Sequence, residues 1–395
     1  MLKNDKKDTR RIVTTKGELT ILRTVLRPID KDSIRLLTER EEVKCITPLD
    51  IVLKINDLPF KMTREMMCEV AFWGQNQSSF KSASAIINKF HGVCISSETV
   101  RAITDYVGKI IFEKDTKEAE SAYKFAEQKE TVEGKKGILY IQADGAALNT
   151  RTKNDEGSTW RENKLGLVFS SDNVIKTINK KGESTSKILK KEYTSYVGSV
   201  QEFKKHLFAC AIRNGYGTYK ETVILSDGAQ WIRNIGQELF PNAVQILDLF
   251  HLCENTYSYA KAIFKNDEVK YKPWAEEIIG KLKNSETQEV LRILKTFEDI
   301  KLPKGVVNLY TYIINNIDRI DYKLYKEKGY YVGSGVIESG NKVVLQKRLK
   351  LAGMRWEPIS AQYLLSLRAK YESGLWMDSV VKILLEYNFQ NRKNL

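Results

Sequence analysis

The chain has 395 residues, room for two or three domains, and 42% of them are apolar, which excludes a disordered protein. Its 64 Lys and Arg against 50 Asp and Glu leave a formal charge of +14, which points to a polyanionic partner, nucleic acid first. Five scattered cysteines without a C-x-x-C pair, and only three histidines, argue against a disulfide framework, a structural zinc site and a histidine-rich metal site. No apolar run approaches the ~18 residues needed to cross a bilayer, and the charged start MLKNDKKDTRR carries no signal core, so a soluble cytoplasmic protein with no membrane partner is expected.

Residues 1–35 read as a basic tail (1–11) and a hairpin, RIVTTKGELTILRTVLRP, turning at Lys16-Gly17. An isolated two-strand hairpin is marginal, so it must lean on another element. Residues 36–130 are predicted to be a helical DNA-binding region. Three helices are expected there: Lys61–Trp73, about Ser78 to Phe90, and a third opened by Ser96-Ser97-Glu98 after a break at Gly92. The third buries Val100, Ile103, Val107 and Ile110 and turns Arg101, Asp105 and Lys109 outward. That arrangement is compatible with a helix-turn-helix DNA reader, although any three-helix bundle gives the same pattern. Residues 113–130 continue as a polar helix, and VEGKKG makes a turn.

Residues 131–255 carry short apolar runs that stop at acids. Ile138–Ile141 leads to Asp144, Val223–Leu225 to Asp227, and Val244–Leu247 to Asp248, with His251 three residues further on. Between them lie strands at Lys164–Ser170 and Asn173–Ile178, a helix at Gln201–Arg213, and a helix with Ala229, Ile232, Ile235 and Leu239 on one stripe. Residues just past strand ends in open α/β sheets face a crevice; the competing reading makes Asp227 a helix cap and leaves Asp248 in a turn. Antiparallel strands first and alternating helices afterwards predict an α/β fold with a ribonuclease-H-like mixed sheet. No G-x-G-x-x-G follows a strand and no P-loop is present, which excludes the usual nucleotide-cofactor folds.

Residues 256–328 are predicted to be an all-helical insertion, with stripes at Trp274, Ile278 and Leu282, at Val290, Leu294 and Phe297, and at Val307, Tyr310, Ile314 and Ile317. Residues 329–395 return to the core. A glycine-rich entry leads to a helix near Val336 with Glu338 in its first turn and Asn341, Lys342 and Leu345 on one face. Lys342, Lys347, Arg348, Lys350 and Arg355 are candidate phosphate contacts, against the plainer reading of a solvated helix face.

Asp144, Asp227 and Glu338 offer hard oxygen donors of the kind that bind Mg²⁺ or Mn²⁺. Two such ions about 3.5–4 Å apart activate a water or a 3′-hydroxyl and stabilise the leaving oxygen of a phosphodiester. Asp248 is a possible fourth ligand at this point. A glycosidase pair could be drawn from the same acids, but the cationic excess suits a neutral sugar poorly, and no nucleophile elbow is present for acyl transfer.

SDGAQWIRNIGQELFPNAVQILDLFH and GSGVIESGNKVVLQKRLKLAGMRW resemble the bacterial insertion-sequence DDE transposases of the ISKra type, relatives of the Mutator-like group. ADGAA at Asp144, the run Trp160–Gly166, Gly198-Ser199, RIVTTKGELTILR and SSETVR are also similar, so the resemblance covers most of residues 10–377. It implies that Asp144, Asp227 and Glu338 bind the two ions, and that Asp248 and His251 form an acidic-x-x-His pair beside the metal site, the histidine near the scissile phosphate. It also implies cleavage and strand transfer at the terminal inverted repeats of a mobile element. The implied partners are double-stranded DNA, as transposon ends and target, and further copies of the chain in a dimer or larger assembly; the implied location is the bacterial nucleoid. Two other functions fit the same residues: a catalytically silent DNA-binding remnant, and a metal-dependent nuclease that does not join strands. The chain begins almost at the hairpin and lacks the paired cysteines frequent there in the family, which gives the expectation of a truncated copy.

Overall fold

A computed structural model describes residues 2–29, 45–55, 58–124, 135–178 and 184–387. The stretch at 30–44, the end of the expected polar helix at 125–130 and the first half of the VEGKKG turn lie outside them. The chain forms two compact units, Met1–Glu113 with Ile359–Tyr371 and Leu375–Leu395, and Lys114–Pro358 with Glu372–Gly374. The division therefore falls near residue 113 rather than 130.

In the first unit, strands β1 (Leu2–Thr14) and β2 (Gly17–Pro28) form an antiparallel ribbon. The basic stretch expected to be a tail is thus a strand. Main-chain bonds from Val13 N to Lys61 O (2.9 Å) and from Thr63 N to Val13 O (2.9 Å) dock the ribbon. So does Asp50 of helix α1 (Pro48–Val52), which is buried and accepts from Arg10 Nη1 (2.7 Å) and from Arg23. Three further helices follow: α2 (Arg64–Asn76), α3 (Phe80–His91) and α4 (Ser97–Lys124). Thr63 and Ser79 cap the first two, and Gly92 ends α3 at φ 62°, a left-handed geometry that favours glycine. Met66, Val70, Ile87, Val100, Ile103 and Val107 share one core, each fully buried apolar side chain contributing about 1.5–3 kcal/mol.

The second unit is built on a five-stranded mixed sheet. Its strands are β3 (Lys135–Asn149), β4 (Trp160–Ser170), β7 (Glu192–Val197), β8 (Tyr219–Ser226) and β9 (Val244–Leu247), in the order β7-β4-β3-β8-β9. β4 is antiparallel to both its neighbours, whereas β3, β8 and β9 run parallel. A small hairpin, β5 (Val174–Ile178) and β6 (Ser184–Ile188), stands apart. Helices α5 (Val200–Arg213) and α6 (Gln230–Leu239) cover one face of the sheet, where Leu139, Ile141 and Ala143 pack with Phe203, Leu207, Ile232 and Ile235. Strand alternation sends Tyr140, Gln142 and Asp144 to the other face.

After β9 come α7 (Leu249–Ile263), α8 (Glu268–Lys283), α9 (Thr287–Lys295), α10 (Leu309–Asn315) and α11 (Tyr322–Glu327). In α10 the buried stripe is Leu309 and Ile313, and the expected Val307, Tyr310, Ile314 and Ile317 are 37–42% exposed. Helix α12 (Gly335–Gly340) then continues through a π-helical segment, Asn341–Gln346, into α13 (Lys347–Leu349). The chain re-enters the first unit with α14 (Pro358–Glu372), a π-helical segment (Trp376–Val381) and α15 (Lys382–Glu386); Leu367, Val380 and Leu384 join its core.

Candidate metal centre at the strand ends

Strand register brings three aspartates side by side. β3 and β8 pair through Gln142↔Leu225, and Asp144 and Asp227 each lie two residues further along. β8 and β9 pair through Ser226↔Leu247, and Asp227 and Asp248 are the next residue on each. Neighbouring strands are about 4.8 Å apart, so the three acids form a row just past the last parallel pairs. Asp227 and Asp248 follow the ends of their strands, whereas Asp144, expected at a strand end, lies within β3, which stays paired to β4 as far as Asn149.

The three environments differ. Asp144 is half-buried on the face of the sheet opposite α5 and α6, where its Oδ1 accepts from Gly145 N (2.7 Å) and its Oδ2 from Asn341 Nδ2 (2.6 Å). Burial pushes its carboxyl above the ordinary value, and the charge of Asp227 adds to the shift. Asp227 is half-buried; its Oδ1 accepts from Ala229 N (3.0 Å), and its carbonyl accepts from Tyr312 Oη (2.8 Å) of α10. Gly228 makes that approach possible: φ is +98°, and a Cβ there would lie 3.0 Å from Tyr312 Oη. Asp248 is fully buried and caps α7, accepting from Phe250 N and from His251 N (3.3 Å) at Oδ1, while Oδ2 accepts from Ser334 N (2.6 Å).

Ser334 links this clamp to Glu338, donating from Oγ to Glu338 Oε1 at 3.0 Å. Ile337 N donates to Gln142 Oε1 (3.1 Å), which fixes α12 against β3. His251 Nε2 lies 3.8 Å from Glu338 Oε1, and His251 Nδ1 is 3.1 Å from Glu254 Oε2, so two glutamates orient the ring. A buried guanidinium, Arg319, donates to Ser226 Oγ (3.3 Å) one residue from Asp227.

Among the described residues, Asp248, His251 and Glu338 could hold a metal ion, since one donor atom of each lies within 4.8 Å of the others. The three backbone N–H groups already on Asp248 make it a weaker donor than its position suggests. Asp144 and Asp227, outside that set, are hard carboxylate donors close enough for the charge of one to act on the other, a repulsion that a divalent cation relieves. The donor chemistry of the row therefore fits such an ion.

The expected DNA contacts fall in different settings. Arg101 and Lys109 on α4 are paired along their own helix, with Asp105 (3.7 Å) and Glu113 (3.8 Å). Lys342, Lys347, Lys350 and Arg355 are exposed. Arg348 differs from them: it is 1% exposed, with its guanidinium 5.1 Å above the Trp356 ring. The contacts of Asn341, Ser334 and Glu254 are not legible in the sequence; a Ser four residues before the helical Glu338 is the one local signal. No known protein-family model matches the chain, and no curated protein matches it either. No helix among the described residues is long and apolar enough to cross a membrane.

Proposed function

We propose that the chain is a DDE transposase with a ribonuclease-H-like core interrupted by the helical segment 256–328, cutting and joining DNA at the ends of a mobile element. The observation that carries this reading is the register that sets Asp144 beside Asp227 on adjacent parallel strands of a mixed sheet, with Glu338 arriving from α12. The charge of +14 suits a nucleic-acid substrate.

Asp144, Asp227 and Glu338 would hold two Mg²⁺ or Mn²⁺ ions, which supply Lewis-acid activation of the attacking oxygen and charge neutralisation at the phosphate. The chain's own residues do the rest. Asp248 holds the start of α7 and the Ser334 turn together, and Ser334 orients Glu338. His251, steadied by Glu254, faces Glu338 and is placed to exchange a proton or hydrogen-bond a phosphate oxygen. The exposed Lys342, Lys347, Lys350 and Arg355 supply backbone contacts to DNA. Dimerisation or higher assembly follows from the need to hold two ends.

The test is a strand-transfer assay on duplexes carrying the DNA that flanks the gene, with Mg²⁺ and with Mn²⁺. Joined products that vanish in Asp227→Ala support the proposal. Nicks without joining would identify a nuclease, and end binding without nicks a silent remnant.

A further inference from the structure

We infer that Asn341 is an additional ligand of the cation site, giving its side-chain oxygen to the ion that Asp144 and Asp227 hold; the inference rests on the proposed reading of those aspartates and adds a residue to it. Asn341 is 3% exposed, and its Nδ2 donates to Asp144 Oδ2 at 2.6 Å. A carboxylate accepts only from the nitrogen of an amide, so this bond fixes which way the side chain faces. The oxygen sits on the same carbon, one amide width from the Asp144 carboxylate. That oxygen, Oδ1, is buried and has no hydrogen-bond partner among the described residues.

Buried amide oxygens are nearly always satisfied, and one left bare beside an acid cluster calls for a ligand. A hydrogen-bond donor or a cation would satisfy that oxygen. Next to two carboxylates whose charges oppose each other the cation is favoured, and a neutral carbonyl oxygen is a normal ligand for a hard divalent ion.

The backbone gives a second, independent indication. Asn341 opens the π-helical segment that interrupts the regular turn after Glu338, and single π-turns within helices are frequent at functional sites. Just before it, Gly340 lets the helix lie against the sheet: a Cβ there would be 2.6 Å from Tyr193 Cε1. The wider turn therefore starts where the helix is pressed closest, and it delivers Asn341 to Asp144.

The test is Mn²⁺ binding by the full chain without DNA, followed by electron paramagnetic resonance and calorimetry, in wild type, Asn341→Leu and Asn341→Asp. Asn341→Leu keeps the size and removes the oxygen; its affinity should fall at least tenfold. Asn341→Asp restores a hard oxygen and should bind Mn²⁺ as tightly as wild type or more so. Unchanged affinity in Asn341→Leu overturns the inference and leaves the aspartate site standing. No Mn²⁺ binding by wild type overturns both. Should Asn341→Leu fail to fold, Asn341→Asp decides alone: retained binding supports the ligand role, and lost binding refutes it.

Discussion

Asn341 Nδ2 and Asp144 Oδ2 meet at 2.6 Å, although the two residues are 197 positions apart in the chain. This contact joins the strand that carries the first acid to the helix that carries Glu338. The candidate centre is therefore made by the sheet and the returning helix together, and perturbing either should be felt at the other.

Asp144→Asn should stabilise the metal-free protein at neutral pH. The native carboxyl is pushed up by burial and by Asp227, so the native state prefers it neutral. With a raised folded value, the stability is complete below the ordinary carboxylate range and is lost as pH rises through the folded value. The melting temperature of the variant in EDTA should exceed that of wild type at pH 7, and the two should converge at acid pH. Added Mn²⁺ should reverse the order, because wild type gains a ligand-linked stabilisation that the variant has lost. Equal melting curves across the pH series would refute this electrostatic account.

Asp248→Ala should cost about 2–4 kcal/mol in urea unfolding, combining a lost helix cap of about 1 kcal/mol with a buried N–H left bare at about 1–3 kcal/mol. The donors concerned are Phe250 N, His251 N and Ser334 N. Asp248→Asn keeps an acceptor for the cap and should lose less. A loss below about 0.5 kcal/mol in the alanine variant would remove the clamp role.

Gly340→Ala places a methyl group against Tyr193 and Leu165, both buried. Overpacking of this kind costs about 1–3 kcal/mol. Because Glu338 and Asn341 flank the site, Mn²⁺ affinity should drop as well. A variant as stable as wild type, with unchanged affinity, would show that the close approach of α12 has no part in shaping the centre.

Asp50→Ala tests the ribbon of the first unit. It takes the shared acid from Arg10 and Arg23, each 18% exposed, and leaves Arg23 only its pair with Asp8 (3.0 Å). Breaking such a pair costs about 3 kcal/mol. Part of that should return when both arginines are replaced by methionine in the same chain, read by thermal unfolding. No recovery would mean that Asp50 acts through packing instead of charge.

The sequence displays some of this architecture and hides the rest for identifiable reasons. Asp227 and Asp248 stand out because Val223–Leu225 and Val244–Leu247 are apolar runs that stop beside them, and both prove to be strand ends. β7 escapes the same reading because Glu192, Thr194 and Ser195 are buried polar residues. Glu192 is satisfied by Arg213 and Asn214, and Ser195 donates to Asn163. In α10 two apolar stripes compete, and the short helix buries Leu309 and Ile313 instead of Tyr310 and Ile314. The row of three aspartates needs the registers Gln142↔Leu225 and Ser226↔Leu247, which no local pattern encodes. The same holds for Asn341, whose significance lies in a partner on another strand.

A crystal of the full chain grown or soaked with Mn²⁺ and measured for anomalous scattering tests the central claim most directly. The account predicts a peak between the carboxylates of Asp144 and Asp227, within bonding distance of the Asn341 oxygen, with Glu338 on the same ion or on a second. A sole peak held by Asp248, His251 and Glu338, with nothing between Asp144 and Asp227, would contradict it.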